Sequence, residues 1–315
     1  MIRRRTLLSA LPAVTIAPAS ALGQSLKIRL GTATEGSGFY AYSVALIDAL
    51  KAVDPILEIK AEQTKGSTEN ARGLQSGDFD MGLVGGEVMH EWLAANRNAP
   101  PLKVVSAAHS AAGMFCVRAD SRYRSIAELK GRPIVWGPRG AGSAVQARYV
   151  MDGMDLDMDR DFQAIYPENF TDGPYMVLES RAAAIWGIGL RWPGFVEIAS
   201  RPLGARFIVP NADEIARIRG KYPFLEKLTV PAGLYPGQYE PLNTVGAWSF
   251  ILARPDLDDS VGHRMAVALY KVERTGVLTR QLGQTTARNT LVAIKSVDEL
   301  QPGVLRFFRQ IKLVK

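Results

Sequence analysis

Alternating and helical patterns of apolar residues follow one another along the chain from residue 26. Leu26–Thr32 alternates apolar and polar positions, which predicts a strand. Phe39–Val53 repeats apolar residues at helical spacing, and Pro55 then ends the predicted helix. Leu57–Gln63 alternates again. A strand, a loop, a helix and a second strand in this order are typical of a parallel sheet.

The same alternation of strands and helices continues to the C-terminus. Further strands are predicted over 81–84, 103–108, 114–117, 133–136, 182–186, 207–209 and 244–253. Further helices are predicted over 70–75, 87–96, 144–154, 214–221, 260–274 and 305–311. The segment 231–242 is rich in Pro, Gly and Tyr and is interpreted as a loop that crosses between two lobes.

Two sets of α/β units without a long linker predict two lobes joined by crossing strands. The expected fold class is α/β, with two lobes. The first lobe is expected to comprise residues 26–112 plus 246–315. The second lobe is expected over 113–245, with the crossover loop included.

The N-terminal segment, residues 1–21, has the features of an export signal. Arg3–Arg5 supply a positive start, an apolar stretch follows, and Ala19–Ala21 form an A-x-A cleavage site. Arg4–Leu8 loosely fits a twin-arginine pattern, so both the Sec and the Tat pathways stay open. The expected location is the periplasm. A cytosolic protein with a basic amphipathic start is the alternative.

Composition argues against several other classes of protein. The net charge is +7, yet no basic stripe with interleaved aromatic residues supports nucleic-acid binding. The single cysteine, Cys116, excludes an internal disulfide, and no Cys/His cluster has the spacing of a metal site. Gly137–Ser143 lacks the ending of a P-loop, and Gly36–Gly38 does not fit a dinucleotide fingerprint. No cofactor and no metal are therefore expected.

Three loops share one design, in which a strand leads through a Gly/Ser-rich turn into a helix. They are Thr34–Tyr40, Lys65–Asn70 and Gly137–Ser143. Each presents free backbone N–H groups at a helix N-terminus, where a carboxylate or phosphate-like group is stabilised. Such loops gather at the carboxyl edge of an α/β sheet. The alternative is that each serine caps its own helix and each glycine only makes the turn.

Several side chains near these loops are candidates for ligand contact. Arg139 is predicted to clamp a carboxylate, Trp186 to form a wall, and Glu87 to receive a ligand ammonium or to cap a helix. Core packing or a solvated surface position is the alternative for each. The candidate ligand-binding residues are Thr34, Ser37, Gly38, Phe39, Tyr40, Gly66, Ser67, Glu87, Arg139, Gly142, Ser143, Trp186, Gly189 and Arg191.

These segments resemble the TAXI family of extracytoplasmic solute receptors, which serve TRAP transporters. The resemblance extends from about residue 28 to 272. It rests on Leu30–Thr32, Thr64–Asn70, Gly77–Val84, Ile126–Arg132, Gly140–Ser143, Lys221–Phe224, Pro231–Gln238 and Thr244–Gly246. Gly85–Glu87 departs from the family, which often has a polar amide and then Asp there.

The resemblance implies the two-lobed type II fold of periplasmic binding proteins with crossing strands between the lobes. It also implies that the receptor closes on a small organic acid or an amino acid, glutamate-like or dicarboxylate. It also implies delivery to the membrane subunits of a TRAP-type permease. No catalytic arrangement is evident, so an enzyme is not expected. Three alternatives stay open: a binding protein of an ABC importer of the thiamine-precursor or sulfonate type, an exported sensor module, and an exported enzyme on the same scaffold.

Overall fold

The computed structural model describes residues 25–275 and 281–315, and the predicted signal segment lies outside them. The first lobe begins with three parallel strands, and each strand leads into a helix. The strands are β1 (Leu26–Gly31), β2 (Leu57–Glu62) and β3 (Met81–Gly85), and the helices are α1 (Gly38–Val53), α2 (Ser67–Ser76) and α3 (Gly86–Ala95).

Two long antiparallel strands, β4 (Lys103–Arg118) and β10 (Leu242–Ala253), carry the chain between the lobes. The N-terminal part of β4 pairs with β10, whereas its last residues pair with strands of the second lobe. The C-terminal part of β10, Ser249–Ala253, also pairs with β3 of the first lobe. The two strands predicted over 103–108 and 114–117 are thus one strand, because the residues between them, His109–Gly113, continue the pairing with β10 and β7.

The second lobe is built on shorter elements. Its strands are β5 (Pro133–Val135), β6 (Gln163–Ile165), β7 (Ala184–Ile188), β8 (Ala205–Ile208) and β9 (Glu226–Val230). Its helices are α4 (Gly142–Asp152), α5 (Asp172–Leu178), α6 (Pro193–Ala199) and α7 (Ala212–Lys221). The main sheet order is β2-β1-β3-β10-β4-β7-β5-β6, while β8 pairs with β4 and β9 with β10.

The chain then returns to the first lobe. Helices α8 (Asp259–Arg274), α9 (Ala287–Ala293) and α10 (Pro302–Gln310) complete it, and short 3₁₀ turns occur at Ala127–Leu129 and Val297–Glu299. One large apolar cluster joins these helices to the first-lobe sheet, and two further clusters fill the second lobe. The predicted α/β fold with strands crossing between two lobes is confirmed.

The predicted crossover loop is corrected by the structure. Tyr235, near the middle of the loop that follows β9, is 2% exposed and packs against Phe195 and Phe207 of the second lobe. Its hydroxyl accepts a hydrogen bond from the backbone N–H of Arg191 at 2.8 Å. The loop therefore packs on one lobe, and the crossing is made by β4 and β10 themselves. The predicted lobe boundaries stay a prediction.

Gly246 lies where β4 and β10 approach each other most closely. A Cβ atom at this position would lie 2.1 Å from the carbonyl oxygen of Ala111. Because that oxygen belongs to paired backbone, Gly246→Ala is expected to lower the free energy of unfolding by about 2–3 kcal/mol. Chemical denaturation measures the loss. As a control, Gly220→Ala in α7, where a Cβ meets nothing within 4 Å, is expected to be neutral or slightly stabilising.

Candidate functional site

A cavity of about 60 Å³ lies between the lobes. The first lobe and the crossing strand β4 line it with Ala33, Ser37, Gly38, Phe39, Gly66, Ser67, Glu87 and His109. The second lobe contributes Val135, Gly137, Ala141, Gly142, Ser143, Pro167, Phe170, Gly173, Ile185, Trp186, Gly187, Ile188 and Trp192. The cavity is small, so it suits a compact molecule rather than a polymer.

Four helices begin at the wall of this cavity. Ser37 caps α1 by accepting a hydrogen bond from the N–H of Tyr40 at 3.0 Å. Helices α2, α3 and α4 begin at Ser67, Gly86 and Gly142, and none of the three has a hydrogen bond from a capping side chain. Because the first N–H groups of a helix lack intrahelical partners, these helices bring free donors and partial positive charge to one place.

Ser67 does not have the predicted role of an N-cap. It is the first residue of α2, and Gly66 precedes it with a φ of 109°, a backbone conformation that glycine tolerates. The Ser67 hydroxyl instead accepts a hydrogen bond from the N–H of Gly85 at 3.0 Å. This bond ties the start of α2 to the start of α3, so Ser67 organises the first-lobe side of the cavity.

The two lobes are in direct contact around the cavity. The indole Nε1 of Trp192, in the second lobe, donates a hydrogen bond to the carbonyl oxygen of Gly36 at 3.2 Å. On another side, a Cβ atom on Gly142 would lie 2.7 Å from Ser67 Oγ. The lobes therefore enclose the cavity, and opening it requires their separation.

Glu87 is the most unusual group in the lining. Its side chain is 0% exposed, and within the described part of the chain no other residue donates a hydrogen bond to either carboxyl oxygen. Burial raises the pKa of Glu87 to about 8, because an apolar surrounding disfavours the charged carboxylate. A buried carboxyl without a partner is rare and costly in proteins, which makes it a candidate for a functional group.

His109 is the other ionisable residue that lines the cavity. Burial lowers its pKa, so the imidazole is neutral at pH 7. Phe39 and Tyr42 pack against the ring with centroid distances of 6.0 and 5.7 Å. Within the described residues, no Lys or Arg side chain lines the cavity. Most of the remaining wall is aromatic or aliphatic.

The sequence matches the model of the NMT1-like family over residues 30–311. The chain belongs to this family. The match covers both lobes and both crossing strands, so the family assignment applies to the cavity as well as to the scaffold.

Solved structures similar to this NMT1-like protein include two with a TM-score of 0.51. An ancestral arginine-binding protein bound to arginine is 12% identical, with a TM-score of 0.51 over 80% of this chain and 94% of that one. A putative L-cystine ABC transporter from Listeria monocytogenes is also 12% identical, with a TM-score of 0.51 over 81% and 93%. At this identity the likeness shows a shared fold, which is that of solute-binding proteins.

None of the helices in the described part of this NMT1-like chain has the length and apolar character needed to cross a bilayer. Within the same residues, no group of three or more His, Cys, Asp or Glu side chains is arranged to hold a metal ion.

Most of the residues predicted as ligand contacts do line the cavity. They are Ser37, Gly38, Phe39, Gly66, Ser67, Glu87, Gly142, Ser143 and Trp186. Trp186 also belongs to the core, since it is 1% exposed and its Nε1 donates to the carbonyl oxygen of Ser143 at 3.0 Å. Thr34 and Tyr40 lie in the first loop and at the start of α1, but they do not contribute to the lining. Ligand contact by these residues stays a prediction.

Arg139 does not line the cavity in this structure, and its predicted role as a carboxylate clamp stays a prediction. The Arg139 side chain is 70% exposed, stacks 3.7 Å above the ring of Tyr166, and lies 3.8 Å from Asp159. These contacts hold the guanidinium outside the cavity. Gly189 and Arg191 are also absent from its lining, and they border a neighbouring cavity of about 70 Å³. Arg191 has a φ of 57°, so the chain turns sharply there.

Several lining residues were not predicted from the sequence. Val135 lies on β5 and Ile185 on β7, and the rule that ligand sites lie at the ends of parallel strands could have indicated both residues. His109 lies inside β4, and Phe170 and Trp192 precede short helices that the sequence pattern did not reveal. No local signal distinguishes these three from core residues.

Proposed function

We propose that this protein is a periplasmic solute receptor that encloses one small molecule between its lobes. The observation that carries the proposal is the closed interlobe cavity with polar groups that have no protein partner. Free helix N-termini from both lobes and the Glu87 carboxyl all meet there. Unsatisfied polar groups in an enclosed space are what a bound ligand would satisfy.

Ligand binding is expected to stabilise the closed arrangement. Loops of the first lobe and the N-terminus of α4 contribute to the same cavity, so a molecule inside contacts both lobes at once. Such a ligand binds the closed form better than the open form, and it therefore shifts the population toward closure. The role is transport, with binding and release as the functional steps and no chemical conversion.

The membrane partner that we propose is a TRAP-type permease. The proposal rests on the resemblance of the sequence segments that surround the cavity to TAXI receptors, and on the export signal expected in residues 1–21. An ABC importer is the second candidate, because one protein of similar fold is named as a putative ABC transporter. A neighbouring gene for an ATPase would favour the ABC importer, whereas genes for paired membrane subunits without one would favour TRAP.

We propose a small carboxylic acid or amino acid as the ligand class. Helix N-termini hold a carboxylate well, and a single carboxylate needs no arginine when several N–H groups converge on it. A dicarboxylate is less well matched, because no Lys or Arg in the described lining pairs with a second carboxylate.

Native mass spectrometry of the protein purified from its own host tests the proposal directly. A bound small molecule should appear as a defined mass difference that disappears on denaturation. The same compound should raise the melting temperature in a concentration-dependent manner, because it binds only the folded state. Failure of every compound in a broad metabolite library to raise the melting temperature would contradict a receptor function.

A further inference from the structure

We propose that Glu87 selects a ligand that brings a cationic N–H donor, joined to an apolar body, into the cavity. This inference rests on the proposed receptor function and specifies which solutes the site takes. It favours an apolar amino acid or amine over a dicarboxylate.

The position of Glu87 supports a direct contact with the ligand. Glu87 follows the first residue of α3, and its carboxyl lies at the contact between the lobes. A Cβ atom on Gly142, at the start of α4 in the opposite lobe, would lie 2.9 Å from Glu87 Oε1. The carboxyl is 0% exposed, and no other described residue donates a hydrogen bond to either oxygen, although Glu87 is among the residues that line the cavity. A ligand in the cavity therefore lies beside Glu87, whose carboxyl the other described residues leave unpaired.

The charges around Glu87 favour a cation as its partner. On α3 the ionisable residues one turn further on are His90, whose pKa is lowered by burial, and Glu91, whose carboxyl accepts hydrogen bonds from Arg148 and Tyr149 of α4. Across the cavity, β4 presents His109, which is neutral, while α2 and α4 present the hydroxyls of Ser67 and Ser143. The protein thus supplies no positive side chain in the lining, and burying an unpaired carboxylate is costly. A ligand ammonium provides the missing charge.

The rest of the lining indicates an apolar body. Phe39, Phe170 and Trp192 contribute aromatic rings, and aliphatic side chains of β5 and β7 complete the wall. A second charged group on the ligand would be desolvated against these side chains without a partner. The free N–H groups of α2 and α4 accommodate one carboxylate, which fits a zwitterionic amino acid with an apolar side chain.

The first test compares compounds that differ by one group. The first set has one apolar body and consists of L-leucine, 4-methylpentanoate, which lacks the amino group, and 3-methylbutylamine, which lacks the carboxylate. The second set has a larger body and consists of L-phenylalanine and 3-phenylpropanoate, which lacks the amino group. L-glutamate and succinate represent the acidic ligands. By calorimetry, removal of the amino group from the bound amino acid should weaken binding by about 10- to 100-fold, the cost of a lost charged hydrogen bond. Binding of succinate or glutamate without binding of the apolar compounds would overturn the inference and leave the receptor function intact.

Glu87→Gln tests whether this carboxyl makes the distinction. The variant keeps the shape of the side chain but removes its charge. It should bind the amino acid at least about tenfold more weakly while binding the des-amino compound as the wild type does. The control is Glu58→Gln, the same change at an exposed position of β2. Unchanged discrimination in Glu87→Gln would remove Glu87 from the recognition of the ligand.

The pH dependence gives a second, independent measurement. At pH 6–7 the carboxyl of Glu87 is protonated in the empty cavity, and binding of an ammonium requires the carboxylate. Binding should therefore release a proton, and the affinity should rise by about tenfold per pH unit from pH 6 toward pH 8. Calorimetry in two buffers of different ionisation enthalpy measures the proton, and Glu87→Gln should release none. Binding without proton release, with an affinity that does not rise from pH 6 toward pH 8, would show that the protonated carboxyl of Glu87 meets the ligand and would contradict the proposal.

Discussion

Glu87→Gln is expected to make the ligand-free protein more stable at pH 8, by roughly 3–5 kcal/mol in the free energy of unfolding. In the unfolded chain the carboxyl ionises near its ordinary pKa, whereas burial raises the pKa in the folded protein to about 8. The folded state therefore keeps a proton that the unfolded state has already lost. Glutamine does not titrate, so the substitution removes this unfavourable contribution to the free energy of unfolding.

The sign of the effect follows from the direction of the shift. Because the folded pKa lies above the unfolded one, the unfavourable contribution of Glu87 grows as the pH rises between about 4.5 and 8, by about 1.4 kcal/mol per unit, and is absent below that window. Urea denaturation of both proteins at pH 5, 6.5 and 8 measures the difference. The difference between the two proteins should shrink to below about 1 kcal/mol at pH 5. A constant difference between them at all three pH values would mean that Glu87 does not titrate as its burial implies.

The order of elements in the first lobe could be predicted from the sequence because each element has a strong local pattern. Strand β1, helix α1 and strand β2 lie within one or two residues of their predicted positions. Each is amphipathic or alternating, and each is bounded by Pro, Gly or Ser. The long strand β4 was predicted as two pieces, since residues between them are small and apolar and carry no period of two.

The second lobe was less predictable because its elements are short. Helices α5 and α6 have seven residues each, which is too few for a helical period to repeat twice. Strands β6 and β9 are similarly brief and partly exposed. Their positions are set by packing against β5, β7 and β10 rather than by local preference.

The loops that line the cavity could be predicted, but the direction of their long side chains could not. Glycine and serine at strand ends indicate where the backbone turns, and the rule for α/β sheets brings such turns to one edge. Arg139 lies in one of these loops, yet a ring on a neighbouring segment, Tyr166, holds it outside. A flexible side chain reaches in several directions, so its target depends on tertiary contacts that a local pattern does not contain.

Glu87 illustrates the opposite case. Its sequence context, just after a glycine pair at the start of a helix, is equally typical of a capping acid that faces solvent. Burial by the second lobe changes its chemistry, and Gly142, which lies against the carboxyl, is more than fifty residues away along the chain. The property that matters for recognition, a carboxyl without a protein partner, arises only when the lobes come together.

Gly142→Val is expected to weaken ligand binding by at least about 100-fold while leaving the fold intact. A Cβ atom at this position would lie 2.7 Å from Ser67 Oγ and 2.9 Å from Glu87 Oε1, both on the opposite lobe, and valine adds two further methyl groups. The closed arrangement then requires displaced side chains or a wider gap, and overpacking of this kind costs about 1–3 kcal/mol or more. With the lobes apart, the same valine meets neither residue.

Small-angle scattering and calorimetry together distinguish a block of closure from general destabilisation. Gly142→Val should have a larger radius of gyration than the wild type, should not contract with the compound recovered from the wild-type cavity, and should unfold at nearly the same urea concentration. Gly220→Val serves as the control, because it adds the same side chain to α7, where a Cβ has no neighbour within 4 Å. Normal contraction and affinity in Gly142→Val would mean that the lobes do not need this close contact to enclose a ligand, and the closed cavity would lose its role as the binding-competent state.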